Sequence, residues 1–133
     1  MAVTDGLVFG ASVGDSGAWL VGAAGVTDLT QHQKPKPLLG SGNATPIGFG
    51  PLPCVGRVLI GSDGLFKYVP HGRIHDLAST LPFDDVPRAL VDAARLRSGG
   101  LQDDIAVIVA GRHGVASDQL VGRGSAAPSG AGC

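Results

Sequence analysis

The chain has 133 residues and a formal net charge of −1, with 44% hydrophobic and 16% charged residues. This length and composition predict one small folded domain and argue against a disordered chain. Lysine and arginine form no block, which argues against a nucleic-acid-binding protein or one that binds an anionic membrane. The sequence shows neither a secretory signal nor an apolar run of the ~20 residues that span a bilayer, so we expect a cytoplasmic protein.

The N-terminal part is predicted to consist of strands joined by glycine-containing turns. Residues 7–13 form an apolar run typical of a buried strand, and residues 14–17 (GDSG) have the composition of a turn. A second apolar run follows at 18–22, so the two runs are predicted to pair as a β-hairpin. A short third strand is predicted at 25–29. Residues 30–53 contain five prolines and four glycines, which predicts an extended loop.

The following part alternates predicted strands and helices. Residues 57–61 (RVLIG) resemble a buried strand, and a short helix or turn is predicted to continue to Tyr68. A second helix is predicted within 72–80. The clearest helical pattern covers 85–97, with acidic residues and a proline at its start and arginines at its end. A final apolar strand is predicted at 105–110.

The C-terminal residues differ in composition from the rest of the chain. Residues 113–133 are rich in Gly, Ser and Ala, which predicts a flexible tail after a domain at 1–112. The two cysteines are Cys54, next to an apolar strand, and Cys133, the last residue. We therefore expect no structural disulfide, and Cys54 is predicted to be a buried small residue.

Two aspartates lie at the ends of predicted apolar strands. Asp63 follows the strand at 57–61, and Asp103 precedes the strand at 105–110. Hard cations such as Mg²⁺ and Mn²⁺ bind carboxylate oxygens and retain water, so a site for them needs few protein ligands. The residues alone leave a second interpretation open, in which each aspartate only caps a turn.

Three segments in order resemble the protein phosphatase 2C family (PPM-type phosphatases). Residues 62–66 (SDGLF) are similar to the S-D-G-[LV]-[WFT] segment of that family, and residues 102–109 (QDDIAVIV) to its closing acidic strand motif. Residues 13–18 (VGDSGA) resemble its V-G-D-S-R-A turn, with Gly17 at the usual arginine position. The resemblance covers roughly residues 6–111.

The resemblance implies a fold class and a metal site. The fold would be α+β, a partial α-β-β-α sandwich whose N-terminal half is missing from this chain. Asp63 and Asp103 occupy the positions of metal ligands of the family. Asp104 stands where asparagine is usual and is predicted to be a supporting or capping residue. Asp15 belongs to a turn whose role in the family is chiefly structural.

The resemblance also implies a reaction. It is hydrolysis of phosphoserine or phosphothreonine in proteins by water activated at a dinuclear Mg²⁺ or Mn²⁺ centre. Partners would be phosphorylated proteins, with Ser/Thr kinases as associated signalling proteins. The E-x-N-x-D and D-G-H-G-G segments that supply further ligands in the family do not occur here. We therefore expect a truncated chain that is weakly active or inactive by itself.

Other interpretations compete with this one. A phosphatase-like interaction module without catalysis, or a gene relic, is the main alternative. His71 and His75 have the spacing of zinc ligands, but Gly72 replaces the glutamate of the H-E-x-x-H motif, so a surface or partly packed helix is favoured. Ser16 has no neighbouring histidine that would make it a nucleophile.

Overall fold

The structure is a computed structural model that describes residues 1–4, 6–37 and 39–111. In these ranges the chain is α+β, with two antiparallel sheets and a few short helices. The strands are β1 (Ala2–Thr4), β2 (Leu7–Ser12), β3 (Gly17–Gly22), β4 (Gly25–Asp28), β5 (Ile47–Pro53), β6 (Arg57–Gly61) and β7 (Val107–Ala110). The helices are α1 (Asp63–Tyr68), α2 (His71–Thr80) and α3 (Val86–Ala93), with a 3₁₀ helix at Phe83–Asp85 before α3.

The strands form a three-stranded sheet of order β1-β2-β5 and a four-stranded sheet of order β4-β3-β6-β7. The inner faces of the two sheets share a small apolar core. Its buried members are Val8, Ala18, Leu20, Leu29 and Val58. The two sheets therefore lie face to face.

The other face of the four-stranded sheet is covered by the helices. Because successive side chains of a strand point to opposite faces, Trp19 and Val21 of β3 face the helices, whereas Ala18 and Leu20 face the second sheet. A larger core results on the helical side, with Leu59 and Leu65 at its centre and the remaining buried members supplied mainly by α2 and α3. The described part thus has the layer order helices, four-stranded sheet, three-stranded sheet.

The predicted hairpin of residues 7–22 is wrong. Strands β2 and β3 form where expected, but β2 pairs with β1 and β5, whereas β3 pairs with β4 and β6. Residues 13–16 therefore connect one sheet to the other. Glycine and aspartate in a connection indicate a turn, but they do not specify whether the flanking strands pair with each other.

The predicted loop at 30–53 is wrong in its last third. Residues 47–53 form β5, although they include Pro51 and Pro53. Strand β5 lies at an edge of its sheet, where a proline is tolerated because the missing N–H group faces away from the neighbouring strand. The register shifts opposite Val8 and Gly10, and Gly50 has a positive φ of 76°, which marks an irregularity in the ladder.

The remaining elements agree with the sequence apart from their ends. The predicted strands at 25–29, 57–61 and 105–110 correspond to β4, β6 and β7. Helix α3 ends at Ala93, so Arg95 and Arg97 lie beyond it and the predicted helix was too long.

Val86 and Leu90 of α3 and the following residue Ala94 are spaced four residues apart and are buried, so this side of the helix contacts the core. The tail predicted at 113–133 lies outside the described residues. None of the helices in the described part is long and apolar enough to cross a membrane.

Candidate functional site

Asp63 and Asp103 lie at the same end of the four-stranded sheet. Strand β6 ends at Gly61, which pairs with Val107, the first residue of β7. Asp63 is the first residue of α1 and is separated from the end of β6 by Ser62, and Asp103 lies in the segment that leads into β7. A Cβ atom added to Gly64 would lie 3.2 Å from Cβ of Asp103, so the backbone next to Asp63 touches Asp103. The fold therefore brings together the two aspartates that the sequence singled out.

Ser62 fixes the segment that carries Asp103. Its hydroxyl donates a hydrogen bond to the carbonyl oxygen of Asp104 (3.0 Å) and accepts one from the N–H of Ala106 (3.1 Å). The Ser62 N–H also donates to the carbonyl oxygen of Ala106 (3.0 Å). Three hydrogen bonds from one residue thus hold residues 104–106 against the end of β6.

Glycines permit the close approach of these segments. At Gly64 a Cβ atom would lie 2.7 Å from the carbonyl oxygen of Asp104, which is too close for any side chain. At Gly17 it would lie 2.5 Å from Cε2 of Phe66. The Phe66 ring, which also contacts Trp19 at 4.7 Å between centroids, therefore fills the space that a side chain at position 17 would need. A side chain at position 17 would therefore displace this ring.

Lys67 adds a positive charge beside the two aspartates. The sequence analysis did not identify this residue. A hydrogen bond with the Tyr68 side chain is the largest cause that raises the pKa of Lys67, and the charges of Tyr68, Asp103 and Asp63 raise it further. The ammonium group lies 5.2 Å from the centre of the Tyr68 ring. The spacing of four residues between Asp63 and Lys67 was the signal available in the sequence, because such residues are neighbours on a helix.

The donor set fits a hydrated hard cation. The Asp63 side chain is partly buried and that of Asp103 is exposed. One oxygen of Asp103, Oδ1, accepts a hydrogen bond from the Asp104 N–H (2.9 Å), which orients the carboxylate. Mg²⁺ is commonly bound through one or two carboxylates, with water and substrate phosphate filling its other positions. Within residues 1–4, 6–37 and 39–111, no cluster of three or more His, Cys, Asp or Glu residues occurs.

The other polar residues considered in the sequence analysis are Asp104, Asp15 and Ser16. Asp104 offers its carbonyl oxygen to Ser62. Asp15 and Ser16 are exposed in the connection between the sheets, and the Ser16 carbonyl oxygen accepts a hydrogen bond from Gln33. None of the contacts described for Ser16 would activate its hydroxyl as a nucleophile.

The two histidines and the cysteine have packing roles. The His71 ring meets the Trp19 ring edge-on with centroids 4.7 Å apart. His75 is half-buried on the same helix and lies 3.6 Å from a carboxylate oxygen of Asp76. Cys54 is half-buried against the core between the sheets, so it is less buried than predicted.

A comparison with known proteins gives a structural neighbour. A crystal structure of a bacterial serine phosphatase that carries an arginine-to-glutamate mutation superposes with a TM-score of 0.68 and 25% sequence identity. The match covers 81% of this chain and 49% of the neighbour, so the chain spans about half of that protein. No family model and no curated protein matches the sequence. The described fold is therefore a phosphatase fold in the part that the two structures share.

Proposed function

We propose that this chain belongs to a metal-dependent protein phosphatase that hydrolyses phosphoserine or phosphothreonine. The single observation that carries the proposal is the adjacency of Asp63 and Asp103 at one end of a sheet whose fold is similar to that of a bacterial serine phosphatase. The motif resemblance of residues 62–66 and 102–109 to the protein phosphatase 2C family supports the same activity.

The chain's own residues would perform two tasks in this reaction. Asp63 and Asp103 would hold a Mg²⁺ or Mn²⁺ ion through carboxylate oxygens, with the Ser62 hydrogen bonds keeping the second aspartate in place. When bound, such an ion lowers the pKa of coordinated water and orients it for attack on phosphorus. A centre of two ions needs several carboxylates to offset the repulsion between the cations, so this pair supplies only part of it.

The first test is binding of Mn²⁺ to the purified 133-residue chain, measured by isothermal titration calorimetry and by electron paramagnetic resonance of the free ion. We expect saturable binding, which Asp63→Asn and Asp103→Asn each reduce by at least tenfold. Asp84→Asn is a matched control, because Asp84 is an exposed aspartate of the 3₁₀ helix. Its Mn²⁺ affinity should equal that of the unmodified chain.

The second measurement is release of phosphate from a phosphoserine peptide in the presence of Mn²⁺. Because two carboxylates are too few for a complete two-metal centre, we expect turnover near background from this chain alone. An absence of saturable Mn²⁺ binding would instead favour a phosphatase-like interaction module. Equal binding by the two asparagine variants and the control would show that the ion binds elsewhere.

A further inference from the structure

A small cavity with polar and apolar lining residues lies between the two sheets, separate from Asp63 and Asp103. It has a volume of about 170 Å³ and is lined by the edge strands β4 and β5, by the end of β2 and by residues 29–33. We call it the inter-sheet cavity. Cavities that hold drug-sized molecules are larger, roughly 300–1,000 Å³, so this one has room for a small solute or one side chain.

Two polar atoms in the lining are buried and have no hydrogen-bond partner. They are the hydroxyl oxygen of Ser12 and the amide oxygen Oε1 of Gln33. The orientation of the Gln33 amide is fixed, because its Nε2 donates to the carbonyl oxygen of Ser16 (2.7 Å). An unpaired buried polar atom costs about 1–3 kcal/mol. The Gln33 amide oxygen needs a partner that donates a hydrogen bond, whereas the Ser12 hydroxyl can donate or accept one.

A carboxylate lies beside them. Asp28 lines the cavity and is held in place because its Oδ1 accepts hydrogen bonds from the Thr30 N–H (2.8 Å) and hydroxyl (2.9 Å). Among the described residues that line the cavity, Asp28 is the one acidic residue. A positively charged group that also donates hydrogen bonds would complement this carboxylate and the Gln33 amide oxygen.

The half-buried Phe49 ring also lines the cavity. A guanidinium group combines a positive charge, five N–H donors and a flat surface that stacks on aromatic rings. A divalent cation is the competing occupant, because one carboxylate with an amide oxygen and water can also bind Ca²⁺, and the test below separates the two. We infer that the inter-sheet cavity binds the guanidinium group of an arginine side chain from a protein or peptide partner.

The position of the cavity allows such a partner to approach the aspartate pair. Gln33 is bonded to Ser16, which precedes β3, and the first residue of β3, Gly17, pairs with Gly61 at the end of β6. The cavity and Asp63 are thus reached from the same end of the four-stranded sheet. The binding itself does not depend on the proposed phosphatase activity.

The test is a titration of the 133-residue chain with N-acetyl-argininamide, followed by ¹H–¹⁵N chemical shifts. The matched probe is N-acetyl-citrullinamide, which has nearly the same shape without the charge. We expect saturable shifts at Ser12 and Gln33 with the arginine probe, and at least tenfold weaker binding of the citrulline probe.

The decisive variant is Ser12→Ala, because it removes one unpaired atom with little change in volume. Its affinity for the arginine probe should fall on the order of tenfold, since a hydrogen bond to a charged group is lost. Its midpoint of urea unfolding should rise, because a buried hydroxyl without a partner is removed. A residue with only a structural role would not show this combination. Ser98→Ala, at an exposed serine, is the control and should change neither quantity.

Three results would overturn the inference. They are an absence of saturable binding of the arginine probe, equal binding of the two probes, and unchanged binding by Ser12→Ala. Saturable binding of Ca²⁺ that Asp28→Asn removes would also overturn it, because the cavity would then be a metal site.

Discussion

The two sheets differ in how completely they are covered. In the four-stranded sheet, β3 has five buried residues in six and faces the helices on one side and the second sheet on the other. In the three-stranded sheet, Val8 is the one residue classed as buried, and Leu7 and Phe9 of the same strand are 41% and 40% exposed on the outer face. Leu7 and Phe9 border an open apolar groove of about 500 Å³ with β5.

This difference follows from the residues of the strands. Strands β3 and β6 carry large apolar side chains on both faces, including Trp19 and Leu59, whereas β2 and β5 are interrupted by glycine and proline. Since burial of apolar area is the main favourable term in folding, most of the stability should reside in the four-stranded sheet and its helices. Asp63 and Asp103 are attached to this sheet, which gives the aspartate pair a rigid support.

The largest effect is expected for a leucine-to-alanine substitution in the four-stranded sheet, compared with the same substitution in the three-stranded sheet. Leu59 of β6 is fully buried against the helices, so Leu59→Ala should lower the free energy of unfolding by about 2–5 kcal/mol. Leu7→Ala removes the same atoms from an exposed position and should cost below about 1 kcal/mol. Urea unfolding followed by circular dichroism measures both values. Equal losses would show that the two sheets contribute alike.

A second comparison uses two glycines in helices. Gly64→Ala places a Cβ atom 2.7 Å from the Asp104 carbonyl oxygen, so the segment that carries Asp103 has to move. We expect a loss of about 1–3 kcal/mol in the free energy of unfolding and weaker Mn²⁺ binding. Gly72→Ala is the control, because a Cβ atom there meets nothing within 4 Å.

The control should gain about 0.4–1 kcal/mol in stability, since alanine restricts the unfolded chain and favours the helix. If Gly64→Ala were as stable as Gly72→Ala and bound Mn²⁺ normally, the close packing of α1 against residues 103–106 would not matter for the site.

The sequence predicted the parts of the fold that depend on local patterns. The apolar runs at β2, β3 and β6 identified strands. Strands β3 and β6 are largely buried, whereas in β2, which was predicted to be buried, Val8 is buried and Leu7 and Phe9 are exposed. The pairing of β2 and β3 was wrong because partner choice depends on contacts far apart in the chain, such as Trp19 with Leu59. Strand β5 was missed because its prolines are compatible with a strand only at a sheet edge, and an edge cannot be seen locally.

In the candidate site, too, the features that depend on local motifs were predicted and those that depend on long-range contacts were not. Asp63 and Asp103 could be selected from motifs, and their adjacency follows from the pairing of β6 with β7. The role of Ser62 as a link between the two segments depends on hydrogen bonds across more than forty residues. The inter-sheet cavity was not predicted, because Ser12 ends β2 whereas Gln33 lies between β4 and β5, and the two residues carry no shared motif.

A third prediction concerns the link between the four-stranded sheet and its helices. The Arg57 guanidinium donates to the carbonyl oxygens of Ala78 (2.9 Å) and Leu81 (2.6 Å) at the end of α2 and lies 5.9 Å from the centre of the Phe83 ring. Arg57→Met keeps most of the apolar stem and removes these bonds. We expect the free energy of unfolding to fall by about 1–2 kcal/mol.

The matched control is Arg88→Met, because Arg88 is exposed on α3 and its closest carboxylate atom is 3.9 Å away. Exposed ion pairs contribute little, so its stability should be within about 0.5 kcal/mol of the unmodified chain. A loss from Arg57→Met no larger than that of the control would contradict the role of Arg57 in joining β6 to α2.

The smallest expected effect concerns the charge of Lys67, which lies beside Asp63 and Asp103 at the end of the four-stranded sheet. Lys67 is exposed, and the charges of Asp103 and Asp63 act on it. Its ammonium group therefore competes electrostatically with a bound cation, and Lys67→Met should increase Mn²⁺ affinity by roughly twofold at low ionic strength. Because exposed charges are screened by salt, the gain should disappear near 1 M NaCl.

Lys36→Met, which removes the same charge from an exposed residue between β4 and β5, should not change the affinity. A gain that persisted in high salt would point to a change in the shape of the site and would contradict the electrostatic explanation.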